Sequence, residues 1–175
     1  MATLKVDVEP GRDHILGSVD ASVTLVEYGD YECPHCAKAQ PVVEAMRKAM
    51  GDNLRVVFRS FPLGEIHKHA QHASEAAEAA GEQGKFWEMH DSIFAHQSKG
   101  LSDEKLLTLA GEIGADKTKI ESALRDGTFT DRVKEDFMSG IRSGVNATPT
   151  FFVNGTRHDD SWDEETLLAA LQSVA

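Results

Sequence analysis

The position of the cysteines is the feature that most limits how this chain can fold. The chain has 175 residues and two cysteines, and both lie in the sequence Cys-Pro-His-Cys at positions 33–36. The residues before this motif, 23–28, are β-branched and mostly apolar, which predicts a buried strand. Residues 37–50 predict a helix that ends at Gly51. The motif therefore lies at a strand-to-helix junction, with its first cysteine at the start of the helix.

A cysteine at the start of a helix is expected to be reactive. The unpaired N–H groups and the dipole of the helix favour negative charge, so we expect Cys33 to be the exposed, low-pKa thiolate and Cys36 its buried partner. Pro34 suits the first helical position because its missing N–H would have had no partner, and a hydrogen bond from His35 to the sulfur would strengthen the effect. Such surroundings lower a cysteine pKa from about 8.5 to roughly 3.5–7.5. A stable thiolate in turn makes the disulfide a stronger oxidant.

By itself, a Cys-x-x-Cys pair is compatible with a zinc half-site, a small disulfide or a redox pair. Structural zinc usually has four ligands, and no second Cys-x-x-Cys or His-x-x-x-His motif follows in the chain. His67, His69 and His72 do not supply the missing ligands, because on a helix His67 points away from the other two. We therefore predict a redox pair and no metal.

A second sequence feature that indicates the fold lies more than a hundred residues after the cysteine motif. Residues 144–155 predict a helix end, a loop, a strand at 150–153 and an Asn-Gly hairpin turn. Pro149 opens this strand, a position where proline is tolerated, and bonds preceding proline are the ones that can be cis. The sequence therefore predicts a late strand that begins at a proline.

The elements between these two signals indicate the fold class. A strand at 23–28, a helix at 34–50 and a strand at 54–60 predict a parallel βαβ unit after an irregular or edge segment in residues 1–20. From there to about residue 143 only helices are predicted, the first at 67–80. Four later helices carry predicted N-caps, at Ser102, Asp116, Thr130 and Ser161, the last in a capping box with Glu164.

Taken together, the strand, the Cys-Pro-His-Cys motif, the helix and the late Thr-Pro-Thr strand resemble the DsbA-like branch of the thioredoxin superfamily. The resemblance extends over nearly the whole chain. It implies a thioredoxin-like α/β fold, a central mixed sheet flanked by helices, with a helical insertion subdomain. The predicted division is a thioredoxin-like domain of residues 1–63 and 144–175 and an insertion of residues 64–143.

The same resemblance implies roles for three further residues. Glu27, six residues before Cys33, matches the buried acid that relays protons to the second cysteine in this family; an ordinary buried carboxylate is the alternative interpretation. Thr148 and Pro149 match the cis-proline loop that lies beside the disulfide and pairs with the substrate backbone. DsbA has valine before this proline, so its redox potential and choice of partner do not transfer to a chain with Thr148.

Composition excludes some functions and leaves others open. The formal net charge of −11 argues against nucleic-acid binding, which needs a basic surface. No stretch approaches the roughly 18 apolar residues of a membrane span. Residues 1–7 contain no export signal, which predicts a cytoplasmic protein as the sequence is written, or a periplasmic or secreted one if the sequence is a mature form. We expect a monomer.

The predicted function is thiol–disulfide exchange by an oxidoreductase, on protein or small-molecule thiols. Cys33 is the predicted nucleophile and Cys36 resolves the mixed disulfide. The pair needs no metal, flavin or nucleotide cofactor, and glutathione is a candidate reductant. The expected partners are protein thiols or disulfides and a redox protein that recycles the pair, while the direction of electron flow stays open.

Two other function classes stay open beside this one. The first is a glutathione-dependent transferase or isomerase of the DsbA-like group, although such relatives usually keep a single catalytic serine or cysteine. The second is a chaperone-type module that holds unfolded polypeptides without redox chemistry. A Cys33→Ser variant with undiminished activity would support the second.

Overall fold

The computed structural model describes residues 1–175 and has an α/β architecture built on one five-stranded mixed sheet. The strand order is β1-β3-β2-β4-β5. The strands are β1 (His14–Leu16), β2 (Val23–Gly29), β3 (Leu54–Ser60), β4 (Thr150–Val153) and β5 (Thr156–His158). The late strand predicted at 150–153 thus pairs with β2, antiparallel, in the interior of the sheet.

Seven helices accompany the sheet, and none of them has the length and apolar character that crossing a membrane requires. They are α1 (Pro34–Met50), α2 (Ala70–Glu82), α3 (Phe86–His96), α4 (Asp103–Glu112), α5 (Lys117–Asp126), α6 (Thr130–Arg142) and α7 (Glu164–Ser173). Between β3 and β4 the chain forms helices only, as the sequence predicts.

The chain forms two compact units, which we call the sheet unit and the helical unit. The sheet unit comprises residues 1–29, 38–59 and 138–175, and the helical unit comprises residues 30–37 and 60–137. The core of the sheet unit joins the apolar strands to α1 and α7. Its buried members include Leu25, Val56, Met46, Phe151 and Leu167. β2 is almost continuously apolar because it is an inner strand, buried on both faces.

This division differs from the predicted one at residues 30–37 with the cysteine motif, at residues 60–63 and at the end of α6. Residues 30–37 belong with the helices, because the turn before α1 is hydrogen-bonded to side chains and main chain of the helical unit. The last residues of α6 belong with the sheet: Ser139 is hydrogen-bonded to Tyr28, and Ser143 accepts the main-chain N–H of Lys5.

Two of the predicted caps are confirmed and two are wrong. The side chains of Ser102 and Asp116 accept main-chain N–H groups at the starts of α4 and α5. Thr130 lies inside α6, and its hydroxyl donates to Glu75 at 3.0 Å and so does not cap the helix. The cap of α7 is Asp163, which accepts the N–H of Thr166 and displaces the predicted Ser161.

The first helix of the helical unit begins three residues later than predicted, at Ala70 instead of His67. The side chain of His67 is hydrogen-bonded to Asp30, and its main-chain N–H donates to Leu63 at 2.9 Å in a turn. His69 is the N-cap residue of α2. A long-range bond and a local turn therefore hold His67 outside the helix.

Candidate active site

The two cysteines lie at the start of α1 and differ in exposure. Cys33 directly precedes the helix, and its carbonyl accepts the N–H of Ala37 at 3.2 Å. Cys33 is 5 % exposed and Cys36 is completely buried, whereas Pro34 and His35 are exposed. The expected exposure of Cys33 is thus corrected: the solvent-facing part of the motif is the Pro-His dipeptide, and Cys33 is only the more accessible of the two cysteines.

Asp30 supplies the main-chain frame of the motif. Its N–H donates to the sulfur of Cys36 at 3.4 Å, and its carbonyl accepts the N–H of Cys33 at 3.1 Å. The two main-chain groups of one residue therefore contact both ends of the cysteine motif. The sequence interpretation did not identify Asp30, because a single aspartate in a turn is ordinarily read as a local turn former.

The carboxylate of Asp30 is fully buried and accepts three hydrogen bonds. The main-chain N–H of Glu32 donates to Oδ1 at 2.7 Å, and the main-chain N–H of Leu63 donates to Oδ2 at 2.8 Å. The third donor is Nδ1 of His67, also at 2.8 Å from Oδ2. This side chain therefore connects the turn before α1 to the segment that follows β3.

The same turn also contacts residues of α3 and of the 3-10 turn that follows it. The side-chain amide of Gln97 donates to the carbonyls of Tyr31 and Cys33, at 2.7 and 2.9 Å. The hydroxyl of Tyr31 is hydrogen-bonded to Nδ1 of His90 at 3.0 Å, and its ring packs against Phe94 with ring centroids 4.9 Å apart. No sequence pattern pointed to Gln97 or His90.

Glu27 lies on β2 in the sheet unit and is 1 % exposed. Both of its carboxylate oxygens are in reach of the side-chain amide of Gln40, at 3.4 and 3.5 Å. A Cβ atom at Gly29 would lie 2.5 Å from the ring of Phe58 and 3.3 Å from Oε1 of Glu27, so a side chain at this position would displace its neighbours. The structure thus places Glu27 as a buried acid on the strand that leads to the motif, and its proton-relay role stays a prediction.

Thr148 and Pro149 lie in the loop before β4, also in the sheet unit. The peptide bond between them is cis, and Thr148 is 9 % exposed. The hydroxyl of Thr150 donates to the carbonyl of Ala147 at 2.7 Å and closes the loop locally. Contact of this loop with a substrate stays a prediction.

The histidines near the motif have separate partners. His67 is paired with Asp30, whereas His72 is paired with Asp103 at 2.7 Å on the surface. No group of three or more histidine, cysteine or acidic side chains is arranged to hold a metal ion.

A mixed sheet flanked by helices, with a Cys-x-x-Cys pair at the start of the first long helix, defines a class of α/β redox proteins. Residues 9–173 match the family model Thioredoxin_4, described as Thioredoxin, and the chain therefore belongs to the thioredoxin family. Within the superfamily it is DsbA-like, as the sequence predicts, and its fold is the thioredoxin-like α/β fold.

Solved structures show the same fold over almost the entire chain. Oxidised BdbD from Bacillus subtilis superposes with a TM-score of 0.86 at 22 % identity, covering 99 % of this chain and 98 % of that one. A thioredoxin-like oxidoreductase from Silicibacter pomeroyi has a TM-score of 0.80 at 27 % identity, with coverage of 94 % and 92 %. DsbA2 from Pseudomonas aeruginosa has a TM-score of 0.74 at 26 % identity, with coverage of 93 % and 94 %.

Similarity in sequence points to a second group of proteins. The Na⁺/H⁺ antiporter NhaA 1 of Salinispora arenicola is 47 % identical over 98 % of this chain, which is 26 % of the antiporter. The antiporter NhaA of Herminiimonas arsenicoxydans is 41 % identical over 97 % of this chain and 27 % of its own length. The chain thus spans about a quarter of the length of these curated relatives. No motif in the chain suggested this relationship.

Proposed function

We propose that this chain catalyses thiol–disulfide exchange through Cys33 and Cys36. The observation that carries the proposal is the graded burial of the pair at the start of α1, with Cys33 the more accessible sulfur-bearing residue and Cys36 enclosed. Helix starts stabilise a thiolate. Membership of the thioredoxin family and the likeness to a solved thioredoxin-like oxidoreductase support the same chemistry.

In the oxidising direction, a substrate thiolate attacks the Cys33 sulfur of the Cys33–Cys36 disulfide. A new substrate–Cys33 bond forms, and Cys36 leaves as a thiolate that takes up a proton. A second substrate thiolate then attacks the substrate sulfur of this mixed disulfide and Cys33 leaves, which is easy when its pKa is low. The substrate loses two electrons and the cysteine pair gains them.

In the reducing direction, the Cys33 thiolate attacks a substrate disulfide and releases one substrate thiolate. Cys36 then loses its proton and attacks the Cys33 sulfur, which releases the second substrate thiolate. Glu27, a buried acid, is the proposed acceptor of this proton. Protein thiols and disulfides are the proposed substrates.

The test compares serine variants of the two cysteines with glutathione disulfide as the probe. We expect Cys33→Ser to form no adduct and to lose exchange activity, because the attacking thiolate is gone. We expect Cys36→Ser to accumulate a stable mixed disulfide at Cys33, detected by mass spectrometry after acid quenching. Each variant is the matched control for the other.

Different results would point to the other function classes. Polypeptide-holding activity that is unchanged in Cys33→Ser would favour the chaperone-type module. If Cys36→Ser still transfers glutathione to a second substrate, the glutathione-dependent transferase would be favoured. In the wild type, the equilibrium reduction potential of the cysteine pair, measured in glutathione buffers, assigns the direction of exchange. A value of about −120 mV means a disulfide donor, and one of about −270 mV means a reductase.

A second proposed function follows from the antiporter relatives. We infer that the chain acts as a redox module of a Na⁺/H⁺ antiporter, since the match covers nearly all of this chain and only a quarter of each relative. Under this proposal the thiol chemistry of the module would affect ion exchange.

The antiporter proposal is tested in proteoliposomes that contain the Salinispora arenicola relative with its matching segment replaced by this chain. Na⁺-driven proton flux is measured after treatment with dithiothreitol or with glutathione disulfide. We expect the flux to differ between the two treatments for the wild-type segment and not for a Cys33→Ser/Cys36→Ser segment. Equal flux for the wild type under both treatments would exclude the proposal.

A further inference from the structure

Asp30 is a fully buried acid in the helical unit that neither step of the exchange reaction uses. Burying an ionised carboxylate is costly unless hydrogen bonds replace its hydration. Asp30 has such bonds from Glu32, Leu63 and His67, at 2.7 to 2.8 Å. A buried charge is weak evidence for stability, since apolar side chains of similar volume often serve as well. What these hydrogen bonds do fix is the geometry of the turn before α1.

That geometry is centred on the cysteine motif. Oδ1 of Asp30 accepts the N–H two residues ahead in its own turn, and Oδ2 accepts an N–H from a segment 33 residues away in sequence. With its side chain held at both oxygens, the main-chain N–H of Asp30 points at the sulfur of Cys36 at 3.4 Å. One residue thus carries both the carboxylate bonded to two main-chain segments and the N–H bonded to Cys36.

We propose that Asp30 is a positioning residue for the cysteine pair, whose carboxylate aims its own N–H at Cys36 and so speeds the resolution step. This inference rests on the proposed exchange function. When Cys36 attacks the mixed disulfide at Cys33, its thiol first loses a proton and negative charge develops on its sulfur. An N–H donor aimed at that atom favours the charged form. The attack forms the Cys33–Cys36 bond and expels the substrate thiolate.

The test is Asp30→Asn, which keeps the shape of the side chain and removes one of its two acceptor oxygens. An asparagine cannot accept from both main-chain segments, because its NH₂ group is a donor. Reduced protein is mixed with glutathione disulfide, and acid-quenched samples give separate rates for formation and resolution of the mixed disulfide. We expect resolution to slow about tenfold, the size of a lost charge-assisted hydrogen bond, while formation changes by less than about threefold.

Glu32→Gln is the matched control, because it removes one negative charge from the same turn. The Glu32 carboxylate accepts the N–H of His69 at 3.2 Å, a bond that glutamine can keep, and the main-chain N–H of Glu32 is unchanged. We expect this variant to form and resolve the mixed disulfide at the wild-type rates. Equal slowing of resolution in both variants would mean that Asp30 acts through its charge, and the positioning role would be overturned.

A spectroscopic measurement covers the case in which Asp30→Asn does not fold. In the amide ¹H–¹⁵N spectrum of the reduced wild type, the Asp30 proton should move upfield when Cys36 is replaced by alanine, because the sulfur acceptor is lost. An Asp30 resonance that does not move would overturn the proposal. The amide of His69, which is bonded to Glu32, is the internal reference.

The failures of the two proposals are distinguishable. A wild type that exchanges thiols and an Asp30→Asn variant that resolves the mixed disulfide equally fast would overturn the positioning role alone. A wild type that forms no mixed disulfide with glutathione disulfide would overturn the proposed function, and the positioning role with it.

Discussion

Arg59 and Asp13 form a buried ion pair in the sheet unit, with both side chains fully enclosed. The pair is bidentate, Nε to Oδ1 at 2.9 Å and Nη2 to Oδ2 at 3.0 Å. The remaining donors of Arg59 reach the carbonyls of Val6 and Asp7 and the hydroxyl of Tyr28. One arginine on β3 therefore fixes the segment before β1 to the sheet.

These contacts favour the charged forms of both side chains, lowering the pKa of Asp13 and raising that of Arg59. Burial alone would raise the pKa of Asp13, but the hydrogen bond from Arg59, the N–H of Glu9 and the charges of Arg59 and Arg12 outweigh it and lower the pKa below the usual value. Burial likewise opposes the charge of Arg59, and the bonds to Asp13 and Tyr28 raise its pKa in spite of burial. Since the folded-state pKa of Asp13 is lowered, its contribution to stability is present above about pH 4 and is lost as the pH falls through the folded value.

Removing the charge of Asp13 should therefore destabilise the protein strongly. We expect Asp13→Asn to lower the free energy of unfolding at neutral pH by roughly 3–5 kcal/mol, because Arg59 is left buried with an uncharged partner. Urea denaturation measures the change. Arg12→Gln is the control: Arg12 contacts the same carboxylate but is 21 % exposed, and should cost less than about 1 kcal/mol. An Asp13→Asn variant as stable as Arg12→Gln would contradict this account.

Among the elements, α7 shows how the choice of cap depends on more than a local pattern. Asp163 accepts the N–H of Thr166 at 2.9 Å and also the hydroxyls of Ser161 and Thr166. These bonds, with that of Ser161 the largest contributor, lower the pKa of Asp163 to about 2. The predicted capping box of Ser161 and Glu164 was wrong because a stronger acceptor lies two residues beyond the serine.

The cap can be tested through its pH dependence. We expect Asp163→Ala to melt at a lower temperature than the wild type at neutral pH. The difference should shrink as the pH falls from about 4 towards 2, because the carboxylate that caps α7 is then protonated. Ser161→Ala removes one of the bonds and leaves the cap in place, so its melting temperature should fall less. Equal losses in the two variants would show that Asp163 is not the cap.

At the scale of the whole molecule, the last two strands of the sheet come from the C-terminal part of the chain, after six of the seven helices. β4 pairs with β2 in register, Glu27 opposite Phe151, and β5 follows it as an edge strand. Between β3 and β4 the chain forms the helical unit, which also takes in the cysteine motif. The cysteine pair thus belongs to the helical unit, whereas Glu27 and the Thr148–Pro149 loop belong to the sheet unit.

Local signals were enough to predict much of this architecture. A β-branched, mostly apolar run marked β2, capping residues marked α4 and α5, and the absence of a convincing strand pattern indicated that only helices fill the segment before β4. These local patterns gave the wrong start of a helix where a residue distant in sequence forms a hydrogen bond to it. His67 fits a helix by its neighbours in sequence, yet its bond to Asp30 keeps it in the turn before α2.

The sequence by itself determined the position of the cysteine pair at a strand-to-helix junction, the fold class and the thioredoxin family resemblance, because each rests on short motifs and local patterns that are legible without knowing which distant segments meet. Only the tertiary structure decided what surrounds the sulfurs. The contacts of the turn before α1 with Leu63 and Gln97 join residues 33 to 66 positions apart. Such contacts depend on how elements pack, and a single side chain such as Gln97 has no periodicity or local partner that would reveal its role from sequence.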